Sequence, residues 1–125
     1  MIYGIGADIV AVARMDRLRR RYGDGFAGRI LATDELADYR ANRLPAHFLA
    51  KRFAAKEALS KALGTGLRYP VSLRNISVVH DERGKPVFHF TAALAQWLVQ
   101  QGVRGCHLSV SDEKETACAF VVLEK

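Results

Sequence analysis

The stretch RFAAKEALSKALGTG, from Arg52 to Gly66, constrains the fold more than any other part of this sequence. Four apolar residues recur in it at the spacing of one helix face, namely Ala55, Leu59, Ala62 and Leu63. Gly64 follows as a helix stop, because glycine readily adopts the left-handed conformation that ends many helices. We therefore predict a long helix over about His47 to Leu63 that buries its apolar stripe.

The segments on either side of this helix read as further strands and helices. Strands are predicted at Met1–Ala7, Asn75–His80, Val87–Phe90, Cys106–Ser111 and Thr116–Glu124, and helices at Ile9–Tyr22, Thr33–Leu44 and Ala92–Gln101. Long regular crossovers are missing, so this order favours an α+β fold whose largely antiparallel sheet packs against the long central helix. The 125 residues, half of them hydrophobic, suit one domain over residues 1–125.

Charge and cysteine content narrow the class of protein. The net charge of +6 attracts polyanions such as nucleic acid, acidic lipid, an acidic protein or a phosphorylated small molecule. Cys106 and Cys118 are the only cysteines, which favours free thiols in a reducing compartment. No segment approaches the run of about 20 apolar residues that a membrane span needs. We expect a cytoplasmic protein that does not enter a membrane.

Two carboxylates and one ammonium are candidates for catalysis. Asp8 follows the glycine-flanked first strand, where it would either cap the next helix or bind a hard metal ion. Glu57 and Lys61 are spaced i, i+4 on the central helix and therefore share a face. Such a pair is either a solvated ion pair or part of a phosphate site, and spacing alone leaves both interpretations open.

Other polar residues could extend a phosphate site. Arg52 and Lys56 add cations on the same helix, and the turn formed by Gly64, Thr65 and Gly66 could present backbone N–H groups to an anion. This turn is not a Walker motif, because the lysine precedes the glycines. His107, Ser109 and Ser111 alternate along one strand and share a face, which on its own is typical of a solvated sheet surface.

The first helix carries a basic face. Arg14, Arg17, Leu18 and Arg21 follow the i, i+3, i+4, i+7 pattern. Such a face is either simply solvated or a docking surface for an acidic partner.

Taken together, these motifs resemble those of bacterial holo-[acyl-carrier-protein] synthases, in the 4′-phosphopantetheinyl transferase family. The resemblance is carried by GIGADIVAVAR at Gly4–Arg14, FLAKRFAAKEALSKALGTG at Phe48–Gly66, GKP at Gly84–Pro86 and HLSVS at His107–Ser111. It implies magnesium-dependent transfer of the 4′-phosphopantetheine arm of coenzyme A to a serine of apo acyl carrier protein, in support of fatty acid biosynthesis. It also implies a homotrimer with active sites at subunit interfaces.

The same resemblance assigns roles to residues by motif. Asp8 and Glu57 would hold the metal, and Lys61 would lie beside the phosphates. Arg52, Lys56 and His107 would contact the nucleotide phosphates of coenzyme A, including the 3′-phosphate. The turn Gly64, Thr65 and Gly66 would line the pyrophosphate and the arm. Pro86 and Ser109, in the later motifs, would also contact coenzyme A. Arg14, Arg17, Leu18 and Arg21 would face the carrier protein. Either Glu57 or a metal-bound water would take the serine proton.

One departure from the family pattern lies in the closing motif, where many relatives carry a second histidine and this chain has Asp112. Two other functions use part of the same residues. A nucleic-acid-binding module would explain the basic charge but not Asp8 and Glu57, and aromatic stacking motifs are missing. A metal-dependent nucleotide pyrophosphatase would use the same groups with water as the nucleophile. The residue pattern and the resemblance together favour the transferase, with no nucleic-acid partner.

Overall fold

The computed structural model describes all residues from Met1 to Lys125 and shows an α+β fold, as predicted. In chain order the elements are β1 (Ile2–Ala11), α1 (Val12–Tyr22), α2 (Asp24–Ile30), α3 (Leu36–Ala41), α4 (Pro45–Leu63), β2 (Ile76–His80), β3 (Pro86–Phe90), α5 (Ala92–Gln100), β4 (Gly105–Asp112) and β5 (Thr116–Glu124). Short 3₁₀ turns lie at Thr33–Glu35 and Leu73–Asn75. None of the helices combines the length and apolar character that crossing a membrane requires.

The strands form two antiparallel sheets rather than one. The larger sheet has the order β1-β5-β4, and β2 pairs with β3 in a separate hairpin. The pairing of β1 with β5 continues to Ala11, opposite Thr116, so the first strand is longer than predicted. Asp8 therefore lies within β1, and the residue that precedes α1 at its N-cap is Ala11. The interpretation of Asp8 as a helix cap is wrong.

The long helix α4 is the centre of the molecule. Its predicted apolar stripe is buried, and so are Phe48, Leu49, Ala50, Ala54 and Ala58 on its other faces. These residues belong to one hydrophobic cluster that also includes residues of β1, β4, β5 and the β2–β3 hairpin. A helix that is apolar on most of its faces is buried on most of them. This burial explains why alanine predominates in α4.

Two glycines bring β1 against α4. A Cβ atom at Gly6 would lie 2.0 Å from the Ala58 carbonyl oxygen, and one at Gly4 would lie 2.0 Å from the Ala62 carbonyl oxygen. Only residues without a side chain permit this backbone approach. The contact sets the position of Asp8, two residues beyond Gly6, relative to the C-terminal half of α4.

The region between α1 and α4 differs from the predicted single helix over Thr33–Leu44. The chain forms α2 directly after Gly23, then the turn at Thr33–Glu35, then the short α3. Gly25 and Gly28 both lie inside α2. Burial of Ala27 and Ile30 against the core compensates for the low helix propensity of the two glycines.

Candidate functional site

Asp8 and Lys61 are in direct contact. The Lys61 Nζ donates a hydrogen bond of 2.8 Å to Asp8 Oδ1 and a longer one of 3.3 Å to the Ala7 carbonyl oxygen. Lys61 lies in the last turn of α4 and its side chain is 52% exposed, whereas the Asp8 side chain is 16% exposed. The hydrogen bond to Asp8, followed by the charge of that carboxylate, raises the pKa of Lys61. The ammonium is therefore charged and accessible at neutral pH.

Glu57 completes this group from one turn earlier on α4. Partial burial raises its pKa, the negative charge of Asp8 raises it further, and Lys61 and Arg14 oppose both effects. The two carboxylates are thus close enough to repel each other. We call Asp8, Glu57 and Lys61 the acidic centre.

The acidic centre suits a hard divalent cation that takes only part of its ligands from the protein. The repulsion between Asp8 and Glu57 is what such a cation would relieve. No group of three or more His, Cys, Asp or Glu side chains forms a complete metal cage in this structure. Magnesium is usually bound in this way, by one or two carboxylates together with substrate phosphates and waters.

The glycine turn after α4 uses most of its backbone donors internally. Gly64 adopts a left-handed conformation with φ of 78°, and its N–H donates to the carbonyl oxygens of Ser60 and Lys61. The Gly66 N–H donates to Ser60 as well, and the Thr65 hydroxyl donates to the Gly66 carbonyl oxygen. Of the three backbone N–H groups, only that of Thr65 donates no backbone hydrogen bond. The turn offers an anion fewer donors than the sequence suggested.

Lys56 does not join the acidic centre. Its side chain is fully buried, and its Nζ donates to the carbonyl oxygens of Ile30 and Leu73 and to Glu35 Oε1. Because an ammonium has three hydrogens, these bonds use all its donors. The structure therefore corrects the predicted role of Lys56: in this subunit it stabilises the core and has no donor left for a phosphate.

Arg52 is also buried beside Glu35, but it borders open space. It lines a cavity of about 250 Å³ together with Pro86 and Asp112, whose side chains come from β3 and β4. Lys51 and His80 line the same cavity. Burial lowers the pKa of His80, and the charges of Arg52 and Lys51 lower it further. Arg52 and Pro86, both assigned to coenzyme A by motif, are thus brought together.

His107 and Ser109 lie on the outer face of the larger sheet, which is the face opposite to Asp8 in the strand alternation. His107 Nε2 is 2.5 Å from Glu124 Oε1, and both side chains are about half exposed. Within one subunit these two residues therefore lie apart from the acidic centre. Exposed apolar side chains share their sheet face, namely Ile5, Ile9 and Phe120.

The basic face of α1 is solvent-exposed as predicted. Arg14, Arg17 and Arg21 form no salt bridge, whereas the neighbouring Arg19 and Arg20 both pair with Asp16. Leu18 is half-buried and packs against the core. The guanidinium carbon of Arg14 lies 5.9 Å from the centre of the Phe53 ring. The three unpaired arginines are available to an acidic partner.

Sequence reasoning missed Glu35 altogether. This glutamate falls at the start of the predicted helix Thr33–Leu44, yet it is 1% exposed and binds both Arg52 and Lys56. The available signal was the pair of cations at i, i+4 on a helix that is otherwise apolar, because buried cations require a buried acid.

Known proteins resemble this chain over most or all of its length. A family profile described as the 4′-phosphopantetheinyl transferase superfamily matches residues 4–121. The holo-[acyl-carrier-protein] synthase of Nitrosomonas europaea is 57% identical over 125 residues, which covers both chains completely. The crystal structure of the Neisseria meningitidis synthase superposes with a TM-score of 0.98, at 54% identity and full coverage of both chains.

A second similar structure contains a ligand. The Bacillus anthracis synthase, solved in complex with coenzyme A (3′,5′-ADP), has a TM-score of 0.81 and 40% identity, over 98% of this chain and 96% of that one. Together with the profile and the two full-length relatives, this similarity establishes the family. The chain belongs to the holo-[acyl-carrier-protein] synthases of the 4′-phosphopantetheinyl transferase superfamily.

Proposed function

We propose that this protein transfers the 4′-phosphopantetheine arm of coenzyme A to a serine of apo acyl carrier protein, in support of fatty acid biosynthesis. The other product is adenosine 3′,5′-bisphosphate. The observation that carries the proposal is the acidic centre, where the Lys61 Nζ lies 2.8 Å from Asp8 Oδ1 next to Glu57. Two carboxylates and an exposed cation at one place suit a metal-bound pyrophosphate, and the full-length relatives are named for this activity.

Asp8 and Glu57 are the residues that would hold magnesium. Magnesium supplies positive charge to the pyrophosphate whose P–O bond breaks. Lys61 reaches the same place on a long side chain, so its ammonium can donate to a phosphate oxygen as negative charge develops there. Either Glu57 or a water bound to the metal would accept the serine proton.

Coenzyme A would also contact Arg52, but not on the same subunit as Glu57. Arg52 precedes Glu57 by five residues and Lys61 by nine on α4. At about 100° per residue, Glu57 lies about 140° and Lys61 about 180° from Arg52 around the helix axis. The acidic centre and the Arg52 cavity therefore face in roughly opposite directions. We propose that one nucleotide binds the acidic centre of one subunit and the Arg52 cavity of a neighbouring copy.

The larger sheet offers a surface for such an assembly. Ile5, Ile9 and Phe120 on its outer face are 61%, 69% and 47% exposed. Covering such a cluster of exposed apolar side chains with another subunit is energetically favourable. We propose a homotrimer in which this face is buried, with His107 and Ser109 of the same face at the subunit boundary.

Two broader assignments complete the proposal. The buried apolar side chains form one continuous cluster, which supports a single domain over residues 1–125. Cys106 and Cys118 are free thiols, and burial raises the pKa of Cys106, which makes it less reactive. Unpaired cysteines support a reducing location, for which we propose the cytoplasm.

Mass spectrometry of an apo acyl carrier protein tests the reaction. The carrier is incubated with this protein, coenzyme A and magnesium, and the proposal predicts a mass increase equal to one phosphopantetheine arm. A carrier variant in which the acceptor serine is replaced by alanine is the matched control. Release of free phosphopantetheine with an unmodified carrier would contradict the proposal and indicate hydrolysis.

A further inference from the structure

Glu35 is a buried carboxylate that accepts four hydrogen bonds. Its Oε1 accepts from the Ala32 N–H at 2.9 Å and from Lys56 Nζ at 2.5 Å. Its Oε2 accepts from the Val78 N–H at 3.0 Å and from Arg52 Nη1 at 3.1 Å. Because the side chain is only 1% exposed, this one carboxylate connects the turn before α3, the middle of α4 and strand β2.

The two cations that Glu35 binds are not equivalent. Lys56 is fully buried and has no donor left, so its contact with Glu35 acts only within the core. Arg52 lines the cavity, and Lys51, His80 and Pro86 line it as well. Whatever fixes the guanidinium of Arg52 therefore affects this cavity as well as the core.

Arg52 is held by one end of its guanidinium only. Both hydrogen bonds that it makes within the subunit come from Nη1, one to Glu35 Oε2 and one to the Val78 carbonyl oxygen. Its guanidinium carbon lies 4.4 Å from the centre of the Phe48 ring, which supports one face of the group. Nε and Nη2 have no protein partner. These two nitrogens form the side of a guanidinium that binds phosphate in a bidentate manner.

We propose that Glu35 is a positioning residue for coenzyme A: it holds Arg52 Nη1 so that the Nε–Nη2 side of the guanidinium stays directed at the cavity for a nucleotide phosphate. This inference rests on the proposed function, which places coenzyme A against Arg52. Without such an anchor, a long arginine side chain loses conformational entropy when the nucleotide binds, which weakens binding. The buried carboxylate restricts the side chain before binding and so removes this entropy cost. Glu35 itself would not touch the nucleotide.

A double-mutant cycle on coenzyme A binding tests the proposal. The dissociation constant is measured by isothermal titration calorimetry for wild type, Glu35→Gln, Arg52→Ala and the double variant, without carrier protein. We expect Glu35→Gln to weaken binding about tenfold, as for the loss of one well-oriented charge-assisted contact. In the Arg52→Ala background the same change should have no further effect, because Glu35 acts through Arg52. Equal effects of Glu35→Gln in both backgrounds would overturn the proposal.

Stability controls separate positioning from a purely structural role. Leu98→Ala creates a cavity in the core on α5 and should lower the melting temperature without changing the dissociation constant. If Glu35→Gln lowers the melting temperature but binds coenzyme A as tightly as wild type, Glu35 is structural and the proposal is wrong. Should Glu35→Gln fail to fold, all four proteins of the cycle are prepared with Lys56→Met, which removes the ammonium left without its carboxylate.

The nature of the phosphate can be tested in the same experiment. If Arg52 binds the 3′-phosphate, dephospho-coenzyme A should bind wild type and Glu35→Gln equally, whereas coenzyme A should distinguish them. If dephospho-coenzyme A also distinguishes them, the positioned guanidinium binds the pyrophosphate, and the role of Glu35 holds. Calorimetry does not depend on turnover, so a failure of Glu35 to affect binding is distinct from a failure of the transfer reaction itself.

Discussion

Asp8 and Glu57 are both half-buried, so neither residue forms an ion pair that is fully buried in the core. We therefore expect Asp8→Asn and Glu57→Gln to fold with melting temperatures within a few degrees of wild type, while transfer falls at least about a thousandfold through loss of the metal-binding charge. Turnover at saturating magnesium and thermal unfolding measure the two effects. Glu82→Gln, at an exposed acid in the β2–β3 turn, removes the same charge and should leave both unchanged. Near wild-type turnover in either site variant would refute the metal assignment.

At the scale of elements, the packing of β1 on α4 positions Asp8 beside Lys61. Gly6→Ala would place a methyl group 2.0 Å from the Ala58 carbonyl oxygen, so strand and helix must separate. We expect destabilisation of about 1–3 kcal/mol or more, typical of overpacking, together with reduced turnover. Gly28→Ala, inside α2 with no atom near its Cβ, should instead be neutral or stabilising by about 0.5–1 kcal/mol. Denaturant unfolding compares the two, and equal stabilities would show that the close approach is unimportant.

The exposed face of α1 provides a second prediction at this scale. Acyl carrier proteins are acidic, and Arg14 and Arg21 form no salt bridge within the subunit. Arg14→Glu and Arg21→Glu should raise the KM for the carrier while the KM for coenzyme A stays constant, and added salt should reduce the difference from wild type. Arg20→Glu, on the same helix but paired with Asp16 in wild type, is the matched control. A raised KM for coenzyme A instead would assign these arginines to the nucleotide site.

The sequence predicted those features that depend on neighbours along the chain. The spacing of Ala55, Leu59 and Leu63 and the stop at Gly64 were enough to predict α4. Features that depend on distant pairing were not predictable in this way. The partner of Lys56 is Glu35, 21 residues earlier, and no local pattern indicates that a helical lysine faces inward. Likewise, Asp8 lies inside β1 only because β5, far along the chain, extends the pairing to Ala11.

At the scale of the whole molecule, we propose that one active site is shared by two copies of this chain. It follows from the position of Arg52 on the side of α4 roughly opposite to Glu57 and Lys61, and from the apolar outer face of the larger sheet. The arrangement would also explain why Arg52, Pro86 and His107, all similar to family motif residues, lie away from the acidic centre within one subunit.

Mixing two inactive variants tests this claim most directly. Glu57→Gln and Arg52→Ala are each expected to be inactive as homo-oligomers. After they are unfolded and refolded together in equal amounts, random assortment should give about a quarter of the sites a wild-type Glu57 from one copy and a wild-type Arg52 from its neighbour. Transfer to apo acyl carrier protein should then return to about that fraction of wild-type turnover. If native mass spectrometry shows mixed oligomers and transfer does not return, the shared active site is contradicted.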